Sequence, residues 1–92
     1  MIKSFKNRDV EAVFKGESPK GFPAPVKVAR RKLEMLNAAT RLEDLRVPPK
    51  NRLEALEHDR KGQHSIRIND QYRVCFVWTE AGPTEVEIVD YH

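Results

Sequence analysis

The chain has 92 residues, 39% of them hydrophobic, a single cysteine and a net charge of +3. That length holds one domain with a modest core, and the apolar content argues against disorder. The lone Cys75 excludes an internal disulfide framework and is consistent with a reducing compartment. No apolar stretch approaches membrane-spanning length and no signal peptide opens the chain, so the expectation is one cytoplasmic domain over residues 1–92 with no membrane partner. The charge is unevenly divided: residues 1–50 carry 12 Lys/Arg against 6 Asp/Glu, and residues 51–92 carry 5 against 8. A basic first half suits an acidic partner, either nucleic acid or protein; solvated helix faces are the plainer reading.

Met1–Phe5 reads as a short opening strand. Residues 7–15 follow with Val10, Val13 and Phe14 at helical spacing and Asp9 and Glu11 in the first turn, where the helix dipole favours acids. Gly16 is the expected stop. After a Pro- and Gly-rich loop over residues 18–25, Val26, Ala29, Leu33 and Leu36 fall on one face of a helix over 25–39. Thr40–Glu43 has the form of a capping box and predicts a brief third turn, turned inward by Leu42 and Leu45 and ended by Pro48 and Pro49. The rest alternates with period two. The pattern predicts an α+β fold: two N-terminal helices on one face of a mostly antiparallel sheet of four to five strands. The expected core is Val10, Phe14, Ala29, Leu33, Leu36, Ile66, Ile68, Val74, Phe76, Trp78, Val86 and Ile88.

The hairpin around Asn69 and Asp70 permits a register argument. A two-residue loop would set Ile66 opposite Arg73 and mix the two faces. A three-residue loop over 69–71 pairs 68 with 72, 66 with 74 and 64 with 76, and gathers the apolar groups on one face. Arg67 and Arg73 then stand opposite each other on the other, solvent-facing side. Like charges so placed are destabilising, so a neighbouring acid or a bound phosphate should offset them. Glu87, on the next strand, is a candidate for part of that role. A plain Arg/Glu sheet surface is the alternative.

The sequence stops on Asp90, Tyr91 and His92 behind a strand over 84–90, which should bring Tyr91 and His92 near Tyr72 and Arg73. Arginine binds phosphate bidentately, and histidine is the commonest acid or base near neutral pH. The set suits metal-free RNA cleavage, in which a 2′-hydroxyl attacks its own phosphate. His58, His64, Cys75 and His92 lack zinc-ligand spacing, so no metal or other cofactor is expected. His58 reads as a solvated loop residue and His64 as a packed edge residue. Cys75 lies mid-strand, away from the helix ends that activate thiols.

Asp59–Gly62, Ser65–Asn69, Tyr72–Trp78 and Val86–His92, with the opening Met1–Phe5, resemble the HigB (plasmid maintenance killer) branch of the RelE-like toxins. The resemblance spans essentially the whole chain. It implies a toxin of a type II toxin–antitoxin module: a ribosome-dependent mRNA endonuclease, neutralised by a helix-turn-helix, HigA-like antitoxin. Operator DNA would be bound only through the toxin–antitoxin complex. Carried over by position, Arg73, Asp90, Tyr91 and His92 fall where the family places functional residues. Arg60, Lys61 and Arg67 match its substrate-facing basic positions. Where some relatives have a histidine this chain has Glu54, which can act as a base but brings no cation to phosphate. His64 stands where relatives often carry an aromatic residue. The rival function is a binding module of the same fold that acts mainly with its antitoxin in autorepression.

Overall fold

The computed structural model of the protein describes residues 1–91. Helix α1 is Arg8–Phe14 and helix α2 is Val26–Ala38. Strands β1 (Glu54–Ala55), β2 (His64–Arg67), β3 (Tyr72–Thr79) and β4 (Gly82–Asp90) form one antiparallel sheet in the order β1-β2-β3-β4. Two short 3₁₀ turns, Leu42–Arg46 and Pro49–Asn51, carry the chain from α2 to β1, and a third, His58–Arg60, lies between β1 and β2.

Both helices form where the apolar spacing predicts. The start of α1 is fixed by Asn7, whose side chain accepts from the Val10 N–H at 3.0 Å. Its end is held from the neighbouring helix: Arg30 donates to the carbonyls of Val13 (2.8 Å) and Glu17 (2.6 Å). Gly16 has φ +101°, as a helix stop in glycine requires. Val10, Val13, Ala29, Leu33 and Leu36 are buried against Ile66, Ile68, Val74, Phe76 and Val86 from the sheet. The outcome matches the expected core, except that Phe14, Trp78 and Ile88 are only partly buried while Val13 and Leu45 are fully inside.

Two expectations are corrected. The opening segment is not a full strand: it makes a single parallel bridge, Phe5 to Val86, flanked by Lys3 N–H to Pro83 O and Lys6 N–H to Val86 O bonds. The third turn does not use Thr40 and Glu43 as a capping pair. Asp44 caps it instead, accepting from the Thr40 and Arg41 N–H groups at 3.0 and 3.1 Å, so the turn starts one residue later.

The β2–β3 hairpin has the three-residue loop. His64 pairs with Phe76, Ile66 with Val74 and Arg67 with Arg73. Asn69 closes the loop through its side-chain oxygen, which accepts from the Gln71 and Tyr72 N–H groups.

The β3–β4 pairing contains a bulge that no sequence signal marked. Cys75 pairs with Glu87 but Val77 pairs with Thr84, so β4 carries one extra residue. Glu85 takes the strained position there, with φ +52°. The freed N–H groups of Glu85 and Val86 bond to Ser4 Oγ (2.9 Å) and Ser4 O (3.1 Å), so the opening segment closes the gap.

Gly82 and Glu85 both sit at positive φ, and their substitutions should diverge. At Gly82 (φ +128°) a Cβ would collide with the Met1 carbonyl. Gly82→Ala is expected to cost about 1–3 kcal/mol in denaturant unfolding. At Glu85 a glycine relieves left-handed strain of about 1–2 kcal/mol and adds a smaller chain-entropy cost. Glu85→Gly should therefore be neutral or stabilising in the same measurement.

Candidate functional site

The sheet face turned away from the helices carries Ser65, Arg67, Arg73, Cys75, Glu87 and Val89. This follows from alternation and from the pairs Arg67–Arg73, Ser65–Cys75, Cys75–Glu87 and Arg73–Val89. Arg73 is the centre of this face. Alternation predicts a solvent-facing side chain there, yet only 7% of the residue is exposed. Its Nε donates to Ser65 Oγ at 2.8 Å and its Nη2 to the Arg52 carbonyl. Its Nη1 lies 3.4 Å from Glu54 Oε1. The Tyr91 ring covers it, with its centroid 5.7 Å from the guanidinium carbon. A planar fork with five donors can be held on several sides and still keep an N–H for a ligand.

The like-charge pair Arg67–Arg73 is offset by acids other than the one expected. Arg67 pairs with Asp70, in the loop of its own hairpin, and Arg73 pairs with Glu54. Glu87 serves a different pair of cations: its Oε2 lies 3.0 Å from Arg60 Nη1 and 3.1 Å from Lys6 Nζ. The bond to Glu87 holds the Arg60 guanidinium above its usual range, against the opposing pull of burial. Burial by itself would raise the Glu87 carboxyl, but the Arg60 and Lys6 contacts outweigh it and hold that carboxyl below the ordinary value. Beside them, burial pushes the Cys75 thiol up to about 11, the reverse of an activated nucleophile.

The last strand ends next to this cluster. Asp90 accepts from Gln71 Nε2 at 3.1 Å, and the Tyr91 N–H donates to the Gln71 carbonyl. Tyr91 is 44% exposed, a wet ring over a buried cation. Lys61 is exposed beside Arg60. His92 lies outside the described residues. The fold thus brings Arg73, Glu54, Tyr91 and Arg67 together, sets Arg60 at the side and leaves Lys61 at the edge. His64 lies on the opposite, helix-side face, stacked on Phe76 with its centroid 6.3 Å away. Sequence reasoning missed Ser65, Lys6 and the Arg52 carbonyl. Ser65 was within reach, since it shares the face of Arg67 by alternation. The carbonyl depends on Arg52 adopting a left-handed conformation (φ 46°), which a non-glycine residue does not advertise.

Two helices on one face of a four-stranded antiparallel sheet, with an arginine sunk into the other, define an α+β protein of the RelE-like type. The chain belongs to the HigB-like family, whose model, described as "RelE-like toxin of type II toxin-antitoxin system HigB", matches residues 3–92. The description names toxins of the type II toxin–antitoxin class. Among curated proteins it is 56% identical over 50 residues to Toxin HigB-1 of Vibrio cholerae serotype O1, a match covering 54% of this chain and 53% of that one. It is 48% identical over 50 residues to an uncharacterised protein of Haemophilus influenzae, covering 54% and 50%. The chain spans about half the length of the curated relatives it matches.

Because Arg73 is buried and bonded, removing it has a structural cost that a surface arginine would not have. Arg73→Ala strands the Ser65 hydroxyl and the Arg52 carbonyl and should destabilise by about 1–3 kcal/mol for each group left unpaired, read from chemical denaturation. Glu87 predicts a pH dependence. Its folded-state carboxyl titrates below the ordinary 4.5, so its contribution is present above that value and is lost as pH falls through the depressed one. Glu87→Gln should melt below wild type at neutral pH, with the gap closing as the pH falls through the depressed value, below 4.5.

Proposed function

We propose that this toxin is a metal-independent endoribonuclease that cuts mRNA on translating ribosomes in the cytoplasm and is silenced by a helix-turn-helix, HigA-like antitoxin. On this reading operator DNA is met only through the toxin–antitoxin complex, and residues 1–92 act as one toxin domain. The observation that carries it is the guanidinium of Arg73, fixed by Ser65 and Arg52 beneath the exposed ring of Tyr91. A prepositioned cation in a partly dry site stabilises charge developing on a phosphorane far better than a mobile one does.

The roles follow from chemical type. A base takes the 2′-hydroxyl proton, the 2′-oxygen attacks phosphorus, and the 5′-oxygen leaves with a proton from an acid, which gives a cyclic phosphate. Glu54 is the candidate base on this face, being 47% exposed in its side chain and 3.4 Å from Arg73. His92 is the candidate acid, with Asp90 as its orienting group. Tyr91 can stack on a base, and Arg60, Lys61 and Arg67 line the path of the backbone.

One observation favours the weaker-catalyst reading: the Glu54 carboxylate already pairs with Arg73, so phosphate must compete with it. Two measurements separate the readings. His92→Gln should lower mRNA cleavage on translating ribosomes by a factor on the order of 100 to 10,000, as expected of an acid–base group. Growth inhibition should follow expression of the toxin alone and disappear with the antitoxin gene. Full cleavage by His92→Gln would remove it from the chemistry. Antitoxin binding without cleavage by the wild type would leave the binding module as the function.

A further inference from the structure

We propose that the seam between α2 and the Pro49–Asn51 turn is a second phosphate-binding site, which takes the sugar–phosphate backbone of RNA beyond the phosphate at Arg73. The inference extends the nuclease reading above. It starts from Lys32, a lysine only 6% exposed in the middle of an amphipathic helix. Its Nζ donates to Asn51 Oδ1 at 2.6 Å. Among the described residues that amide oxygen is its only hydrogen-bond partner.

Asn51 explains why the lysine stays there. It is fully buried, and its Nδ2 donates to the Leu45 carbonyl at 3.2 Å and lies 3.5 Å from that of Val47. Its amide nitrogen is committed to those carbonyls, so its oxygen must face Lys32. The bond ties α2 to the turn, and the exposed cations next to the pair in the chain, Arg31 and Lys50, both act on the Lys32 charge.

The charges that reach Lys32 are of one sign. Burial, then Arg31, Arg67 and Lys50, all lower its proton affinity, and among the described residues no acid opposes them. A buried ammonium is normally paired with an opposite charge. Here the protein supplies a neutral oxygen and three more cations, and an anion completes the set. Arg67 stands directly across from Arg73 in the hairpin, so the cations run from the seam toward the buried guanidinium. Repeating phosphates match such a row; a lone anion would occupy one end of it.

The test uses the full-length protein and an uncleavable 2′-O-methyl oligoribonucleotide, with affinity followed by fluorescence anisotropy across a salt series. Removing one cation that neutralises a phosphate should reduce the salt slope by about 0.7. Lys32→Met is expected to show that reduction. Arg31→Ala with Lys50→Ala, both exposed, should also lower the slope and does not depend on Lys32→Met folding. Lys20→Ala, a cation outside the seam, should leave it unchanged. Unaltered slopes in both seam variants would make Lys32 a structural lysine and overturn the proposal. An equal reduction for Lys20→Ala would reduce the site to general charge and overturn it too. Inorganic phosphate that binds as tightly as the oligonucleotide would reassign the seam to a small free anion. A Lys32-dependent slope in a protein that cleaves nothing would sink the nuclease reading and leave this site standing.

Discussion

A guanidinium leaves water only where fixed acceptors replace its hydration. Arg73 meets that condition through groups from separate parts of the chain: Ser65 on β2, the Arg52 carbonyl before β1, Glu54 on β1 and the ring of Tyr91 after β4. Each is useful only if the others are in place. The two-residue strand β1 is too short to hold itself, and this arginine ties it to the sheet. The same bonds keep the cation from swinging. A group bound that firmly needs no reorganisation when charge appears beside it, so on the proposed reading stability and chemistry make their demands on one residue.

The charge distribution explains the division of labour among the remaining cations. The basic first half and acidic second half meet across the fold: Lys6 bonds to Glu87, and Glu87 also holds Arg60. That carboxylate is committed to two cations and does not quench Arg73. Arg67 is balanced by Asp70, whose side chain is almost wholly exposed. On the proposed reading an incoming phosphate displaces a solvated partner of this kind at low cost. The cations of the open face are thus arranged from firmly neutralised to readily available.

The fold was legible in the residues wherever period and turn chemistry decide the outcome. The apolar spacing of Val10, Ala29, Leu33 and Leu36 specified two helices, and the demand that Ile66, Val74 and Phe76 share a face selected the hairpin loop and with it the Arg67–Arg73 pair. Features that depend on side chains meeting across long separations were not legible. Glu87 shares the open face with Arg73 on the adjacent strand, yet its partners are Lys6 and Arg60, which approach from elsewhere. The burial of Arg73 was hidden for the same reason, since period-two alternation gives the side of a sheet but says nothing of the loop that covers it. The Arg52 loop is that cover. Asn51 looked like an ordinary turn residue beside two prolines, and only the approach of α2 makes it the anchor of Lys32.

The extra residue in β4 has a consequence for the parity of the chain. Before the bulge Thr84 points to the open face; after it Val86 and Ile88 point to the helices, and Glu87 and Val89 to the open face. Unbroken alternation from Thr84 would give the reverse. Tyr91 reaches Arg73 only because the strand has miscounted once, at Glu85. The stretch from Thr84 to Val86 therefore acts as a phase marker. Many side chains can be exchanged there without moving the face, but removing or adding one residue turns the end of the strand over and carries Tyr91 with it.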